Sequence, residues 1–488
     1  MKTIASAQLP QGVLTPHYDR QKLQSRIVHF GFGAFHRAHQ ALLTDRVLNA
    51  RGGDWGICEI SLFSGDHLMR QLREQDHLFT VLEKGAEGDQ AIIIGAVHEC
   101  LNAKLDSLAA IIEKFCEPQV AIVSLTITEK GYCIDPSTGE LDLHNARILH
   151  DLASPQEPHS APGILVEALA RRHQRGLPPF TVLSCDNIPD NGHVVKNAVL
   201  GMAARRSPEL AEWIKTHVSF PATMVDRIVP AATEESLAEI SQHLGVTDPC
   251  AISCEPFIQW VVEDDFVAGR PEWEVAGVQM VRDVVPWEEM KLRMLNGSHS
   301  FLAYLGYLSG FAHINDCMQD KVFRQAARRL MLQEQAPTLQ ITDVDLTLYA
   351  DKLIERFANP ALKHKTWQIA MDGSQKLPQR MLASIRIHLQ RESTWPLLAL
   401  GVAGWMRYVS GFDDANKTID VRDPLGDKIA ILVAKSTSAQ RVKTLLSLNE
   451  IFGEDLPDNP RFVEAISEAW QQIEQYGAHQ AVAHALKN

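Results

Sequence analysis

Residues 26–40 read RIVHFGFGAFHRAHQ, and this stretch decides the fold. The first five, RIVHF, are β-rich and do not alternate cleanly, as expected of a short strand covered on both faces. Gly31-Phe32-Gly33-Ala34-Phe35-His36 follows at once and opens into a helix through Arg37-Ala38-His39-Gln40. Glycines in such a turn let the backbone approach a pyrophosphate, whose charge the helix N-terminus stabilises. The expected cofactor contacts are Phe30, Gly31, Gly33, Ala34, Phe35 and His36. The fingerprint is partial, because His36 stands where its third glycine would be. A plain structural turn is the other reading, and the position after the first strand of an α/β region favours the dinucleotide. His36 and His39 raise the question of a metal. No carboxylate or third histidine is apparent nearby in the sequence, so none is expected.

Working outward, residues 55–63 (WGICEISLF), 91–95 (AIIIG), 120–126 (VAIVSLT) and 180–185 (FTVLSC) also read as strands. Helical patterns at 106–115 and 194–205 lie between several of them, which predicts a doubly wound, Rossmann-type α/β sheet. After Pro286 the texture turns helical, at 287–308, 321–335, 345–357, 397–408, 441–448 and 460–476. The division expected is a dinucleotide-binding domain over 1–285 and a mostly α-helical substrate domain over 286–488, with the site in a cleft between them. A chain of 488 residues favours two cores over one.

The 60 acidic residues outnumber the 47 Lys and Arg, for a net charge of −13, which argues against nucleic acid or a membrane as partner. The longest uncharged apolar stretch, near 395–406, is too short for the roughly 20 residues of a membrane span. The eight cysteines form no CxxC pair and read as buried thiols in a reducing compartment. Residues 1–12 lack an apolar h-region, so no signal peptide is expected and the reading is cytoplasmic.

The chemistry concentrates in Lys291-Leu-Arg-Met-Leu-Asn296-Gly-Ser-His299. On a regular helix Asn296 lies about 140° round from Lys291, with His299 between them at about 80°. All three can border one cleft. Alcohol oxidation needs a base for the hydroxyl proton and donors for the developing alkoxide; a desolvated lysine suits the first and Asn or His N–H the second. Glu288, one turn earlier, suits a proton relay. Gly297 inside a helix costs about 1 kcal/mol against Ala, which implies a close approach to the backbone.

Other polar groups interrupt apolar sequence where strands should end, the place ligands occupy in open α/β sheets. They are Asp186 and Asn187, then Asp226 and Arg227. Ser124 and Thr126, leading into residues 127–132 (ITEKGY), either line the nicotinamide or form a structural turn. Asp66, beyond the second strand, either receives the ribose hydroxyls, which favours NAD over NADP, or is a solvated turn residue. Residues 363–380 carry Lys363, Lys365, Lys376 and Arg380 against Asp372, a basic segment in an acidic chain. It reads either as a solvated loop or as a carboxylate-binding wall, with Lys376 and Arg380 best suited to the wall.

Taken in order, GFGAFHRAH, TEKGY, SCDN, MVDRIxP and Kx4Nx2H resemble the polyol-specific long-chain dehydrogenase family, that of mannitol dehydrogenase, over nearly the whole chain. The EKGYC and AMDGSQKLPQR segments look most like its branch interconverting D-mannonate and D-fructuronate. The resemblance implies NAD(H), no metal, and Lys291 as general acid/base. It implies that Asn187 and Asn296 bond the reacting oxygen, that Asp226 and His299 position substrate and lysine, and that Glu288 lies near the proton path. Lys376 matches a substrate-binding lysine. Gln368 departs from the family pattern, since the polyol oxidisers carry Arg there, and this agrees with an acidic substrate. The alternatives are a neutral polyol dehydrogenase acting on mannitol or arabinitol, and a non-catalytic NAD-binding regulatory protein. The expected partner is a small sugar acid or polyol; oligomeric state is open.

Overall fold

The computed structural model describes residues 3–62, 64–135, 138–342, 344–361 and 363–487. The chain divides into two compact units, Met1–Val285 and Pro286–Asn488.

In the first unit, chain order gives β1 (Gln24–Phe30), β2 (Trp55–Ser61), β3 (Phe79–Gly85), β4 (Gly88–Ile94), β5 (Val97–Asn102), β6 (Ile122–Leu125) and β7 (Thr181–Ser184). Five of them form one sheet in the order β5-β2-β1-β6-β7, with every pairing parallel. Ile27, Leu42, Leu48 and Val97 belong to the apolar core of one face, and Val28, Phe30, Phe115 and Leu169 to that of the other. The sheet is doubly wound, as expected. Strand order reverses between β1 and β6, so their carboxyl ends open the crevice where such sheets bind ligands.

The expected strand at 91–95 lies elsewhere. It belongs to β4, which pairs antiparallel with β3 in a separate small sheet completed by β9 (Ile252–Cys254). The fifth parallel strand is β5, VHECLN, whose polar residues hid it. Residue 63, the last of the expected second strand, lies outside the described residues. β8 (Thr223–Asp226), β10 (Gln259–Glu263) and β11 (Gln279–Val281) form a third sheet.

The second unit is helical; among its described residues strand pairing is limited to isolated bridges, His313 with Lys365 and Phe412 with Thr418. Its central helix, Pro396–Val409, starts on a proline that suits a first turn and is buried on nearly every side, as an all-round apolar helix must be. Among the described residues no helix is long and apolar enough to cross a membrane. All eight cysteines are buried free thiols.

Two expected helices are not regular. Val285–Met290 passes into a π-helical stretch, Lys291–Gly297, before Ser298–Leu308 resumes the α form; Lys321–Arg329 ends in another, Leu330–Gln335. A third π stretch, Pro378–Leu382, precedes the helix Ala383–Gln390. The three meet at Gly297. A Cβ there would lie 2.4 Å from the Gln335 Nε2 and 2.6 Å from the Arg380 carbonyl oxygen. The close approach that Gly297 implied is therefore by protein. We expect Gly297→Ala to destabilise this unit by about 1–3 kcal/mol, read as a fall of several degrees in its thermal midpoint.

Candidate active site

The glycine turn starts at the carboxyl end of β1. Gly31 has φ +107°, and a Cβ on it would sit 2.4 Å from the Thr126 carbonyl oxygen. Only glycine fits, because the turn lies against the end of β6. Gly33 differs: its φ is −80°, it precedes the short helix Ala34–Ala38, and a Cβ would meet nothing nearer than the Gly31 carbonyl at 3.9 Å. Space thus opens over Gly33.

Several expected cofactor contacts point elsewhere. The Phe30 ring is core, stacked on Phe115. His36 turns under the sheet end, its Nε2 2.6 Å from the Glu59 Oε1 and its ring stacked on His29 at 3.4 Å. Phe35 stacks on His39. The Ser124 hydroxyl is buried, bonded to His29 Nδ1 at 2.7 Å and donating to Gln40 Oε1 at 2.8 Å. Thr126 donates to the Gly31 carbonyl at 3.0 Å, so it braces the turn from behind. Asp66 opens the helix Asp66–Glu74 and accepts from Lys104 at 3.1 Å, a contact that holds its carboxyl below the usual range.

The expectation that no carboxylate or third histidine lies near His36 and His39 is corrected here. His29, His36 and Glu59 bring three ligand-type atoms within 4.8 Å of one another. The two imidazoles are nearly parallel, however, and in-plane lone pairs on rings stacked 3.4 Å apart do not converge on one point. The cluster is a hydrogen-bonded one. Burial drives His36 down to about 3, His29 well below its ordinary value, and Glu59 up to about 7.

Asp186, after β7, accepts from the backbone N–H of Ile127 at 3.0 Å and Thr128 at 2.9 Å, and from the Tyr132 hydroxyl at 2.5 Å. It anchors the TEKGY loop, so that motif is ordered from below. Asn187, next in sequence, is exposed. Asp226 ends β8 and is buried, while Arg227 donates to the carbonyls of Ala38 and Glu255 and to the Glu83 carboxylate. Arg227 is a clamp holding the end of the first helix.

In the second unit, the π stretch changes the phase expected for the catalytic row. With i→i+5 bonding, Asn296 lies about one turn above Lys291 rather than about 140° round. Lys291 is buried, and Glu288 and Asn296 are half-buried. His299 packs flat on Phe357 at 5.1 Å, with His364 at 5.4 Å. Its Nε2 is buried without a hydrogen-bond partner among the described residues. Burial, then His364, Arg380, Arg356 and Lys376, hold its pKa far below the ordinary value, so the ring is neutral.

Lys376 is half-buried and donates to the carbonyls of Ile369 at 3.1 Å and Met371 at 2.5 Å. Burial and the neighbouring Arg380 lower its pKa to about 8. Arg380 donates to the Ser300 hydroxyl at 3.0 Å, and its Nε is a further buried atom without a partner among the described residues. Gln368 is exposed, as are Lys363 and Lys365. Sequence reasoning passed over Glu59, His29, His364 and Arg356. The signal for the first two was available: an ionisable residue inside an apolar strand must find a buried partner.

Two family models match the chain, the mannitol dehydrogenase Rossmann domain over residues 25–275 and the mannitol dehydrogenase C-terminal domain over residues 283–474. The chain is 83% identical over 487 residues to YeiQ, an uncharacterized oxidoreductase of Escherichia coli K12, with 100% of each chain covered. It is 56% identical to the D-mannonate oxidoreductase of the same strain, over 99% of this chain and 100% of that one. Among solved structures, mannitol 2-dehydrogenase of Pseudomonas fluorescens, in ternary complex with NAD and D-mannitol, is 40% identical. Its TM-score is 0.83, over 99% of this chain and 98% of that one.

Proposed function

This chain belongs to the mannitol dehydrogenase family of oxidoreductases, and from that premise we propose that it interconverts D-mannonate and D-fructuronate with NAD(H). The reaction is D-mannonate + NAD⁺ ⇌ D-fructuronate + NADH + H⁺. The observation that carries the choice of an acid is the set of basic groups around His299. Lys376, Arg380 and Arg356 all act on an imidazole whose Nε2 is left without a partner among the described residues. Such a wall suits a carboxylate, which Arg and Lys recognise through charge-assisted hydrogen bonds. A neutral polyol gains nothing from it.

The glycine turn fits a dinucleotide, since the backbone of Gly33 faces open space and the turn ends the strand at which the sheet order reverses. Gly31, Gly33 and Ala34 would hold the pyrophosphate through their backbone, and Asp66 the ribose. When bound, NAD(H) supplies the hydride acceptor or donor. Lys291 takes the proton from the substrate hydroxyl in oxidation and returns it in reduction, without a metal. Asn187 and Asn296 donate to the reacting oxygen, Asp226 and His299 orient substrate and lysine, and Glu288 passes the proton on. Lys376 and Arg380 receive the carboxylate, with Gln368 at the substrate's edge.

The experiment is a comparison of KM values. Lys376→Met is expected to raise KM for D-fructuronate at least about tenfold, while a neutral ketose is affected less than about twofold. Raising pH through about 8 removes the ammonium charge in the free enzyme, so KM for the acid should climb there in the wild type and not in the variant. Equal effects on both substrates would remove the carboxylate role.

A further inference from the structure

β1, β2 and β6 run parallel with Glu59 opposite His29 and His29 opposite Ser124, so one row across the sheet is polar in an otherwise apolar core. Glu59 and His29 are fully buried, and His36 descends onto the row from the helix that follows the glycine turn. The contacts form a chain from the carboxyl group to the turn. Glu59 Oε1 is 2.6 Å from His36 Nε2, the His36 ring stacks on His29, and His29 Nε2 is 3.1 Å from the Gly31 carbonyl and 2.9 Å from Thr126 Oγ1. Glu59 Oε2 and His36 Nδ1 have no hydrogen-bond partner among the described residues.

We propose that Glu59 and His36 are positioning residues which hold the dinucleotide turn in its binding form while they share one proton, and that loss of this proton weakens NAD(H) binding. The inference rests on the reading that NAD(H) is bound at the glycine turn. Its physical basis is the solvation of the carboxyl group. Ionised, Glu59 is an acceptor-only group with one oxygen buried and unpaired, a costly state; protonated, it donates to His36 and the pair is neutral. A negative charge released there lies beneath the turn that approaches the pyrophosphate, and it repels that group in a medium of low dielectric.

The groups facing Glu59 are consistent with a neutral pair. His29 from β1 and Arg37 from the helix Ala34–Ala38 favour its ionisation, yet burial outweighs both and its pKa lies near 7. Cys58 on β2 and Cys100 on β5 also feel its charge, and burial raises both thiols. Arg37 is itself spent on the carbonyls of Gly33 and Cys250. The pair is therefore neutral at pH 6 and ionised above about pH 8.

The test is NADH affinity, measured by fluorescence titration from pH 6 to 8.5, where the pyrophosphate itself does not titrate. The Kd of the wild type should rise roughly three- to tenfold across this range. Glu59→Gln is nearly isosteric with the protonated acid and donates to the same His36 nitrogen. Its Kd should stay flat and match the wild-type value at pH 6, with kcat at saturating NADH unchanged. A wild-type Kd that is flat with pH overturns the proposal even if the variant fails to fold, as does a Glu59→Gln variant that keeps the slope. Absence of NADH binding at every pH would instead refute the underlying reading of the glycine turn.

Discussion

Replacing Lys291 by alanine is expected to lower kcat by about 10²- to 10⁴-fold, the usual contribution of a positioned acid/base, while the Kd for NADH changes less than about twofold. The side chain is buried at the start of the π stretch, one turn below Asn296, so under the proposed mechanism its removal takes away the proton acceptor and leaves the glycine turn of the other unit intact. Added small primary amines should restore part of the rate, because an amine in the vacated space accepts the same proton. Stopped-flow oxidation of NADH with and without the amine reads both effects. A variant that keeps the wild-type rate across pH would show that the proton goes elsewhere.

The second large effect separates two glycines. Gly31→Ala places a Cβ 2.4 Å from the Thr126 carbonyl at φ +107° and should cost both stability and NADH affinity. Gly33→Ala meets no protein atom within 3.4 Å and starts from an ordinary φ, so the thermal midpoint should stay within about 2 °C of wild type. Its NADH Kd should nevertheless rise at least about 30-fold, or about 2 kcal/mol, because the methyl group would occupy the room proposed for the pyrophosphate. Calorimetry and fluorescence titration on the same two variants decide it. If Gly33→Ala binds NADH normally, the space over the turn is not cofactor space.

The Rossmann-type sheet was legible because its strands are short apolar runs and its first turn is rich in glycine. Strand β5 was not, since half of VHECLN is polar, and residues 91–95 were assigned to the main sheet because they are more apolar than β5. Composition alone does not separate a hairpin strand from a central parallel one. The helical character of residues 286–488 was legible, but its π stretches were not. No residue type marks an i→i+5 turn, and the phase of Lys291, Asn296 and His299 was computed for 3.6 residues per turn. His36 was expected at the cofactor because it stands in the fingerprint. Its partner Glu59 lies on the neighbouring strand, 23 residues away, and only strand register brings them together. Gly297 was correctly read as a site of close approach, yet the approaching groups are the Gln335 side-chain amide and the Arg380 carbonyl.

Substrate choice is the point on which the functional reading turns, and kcat/KM for D-fructuronate against D-fructose, both reduced with NADH, measures it most directly. One well-formed charge-assisted contact to a carboxylate contributes about 1.5–3 kcal/mol, so a preference of about 100-fold for the uronate is expected. Equal efficiency, or a preference for fructose, would contradict the assignment of a sugar acid and leave the basic groups around His299 without a substrate to receive.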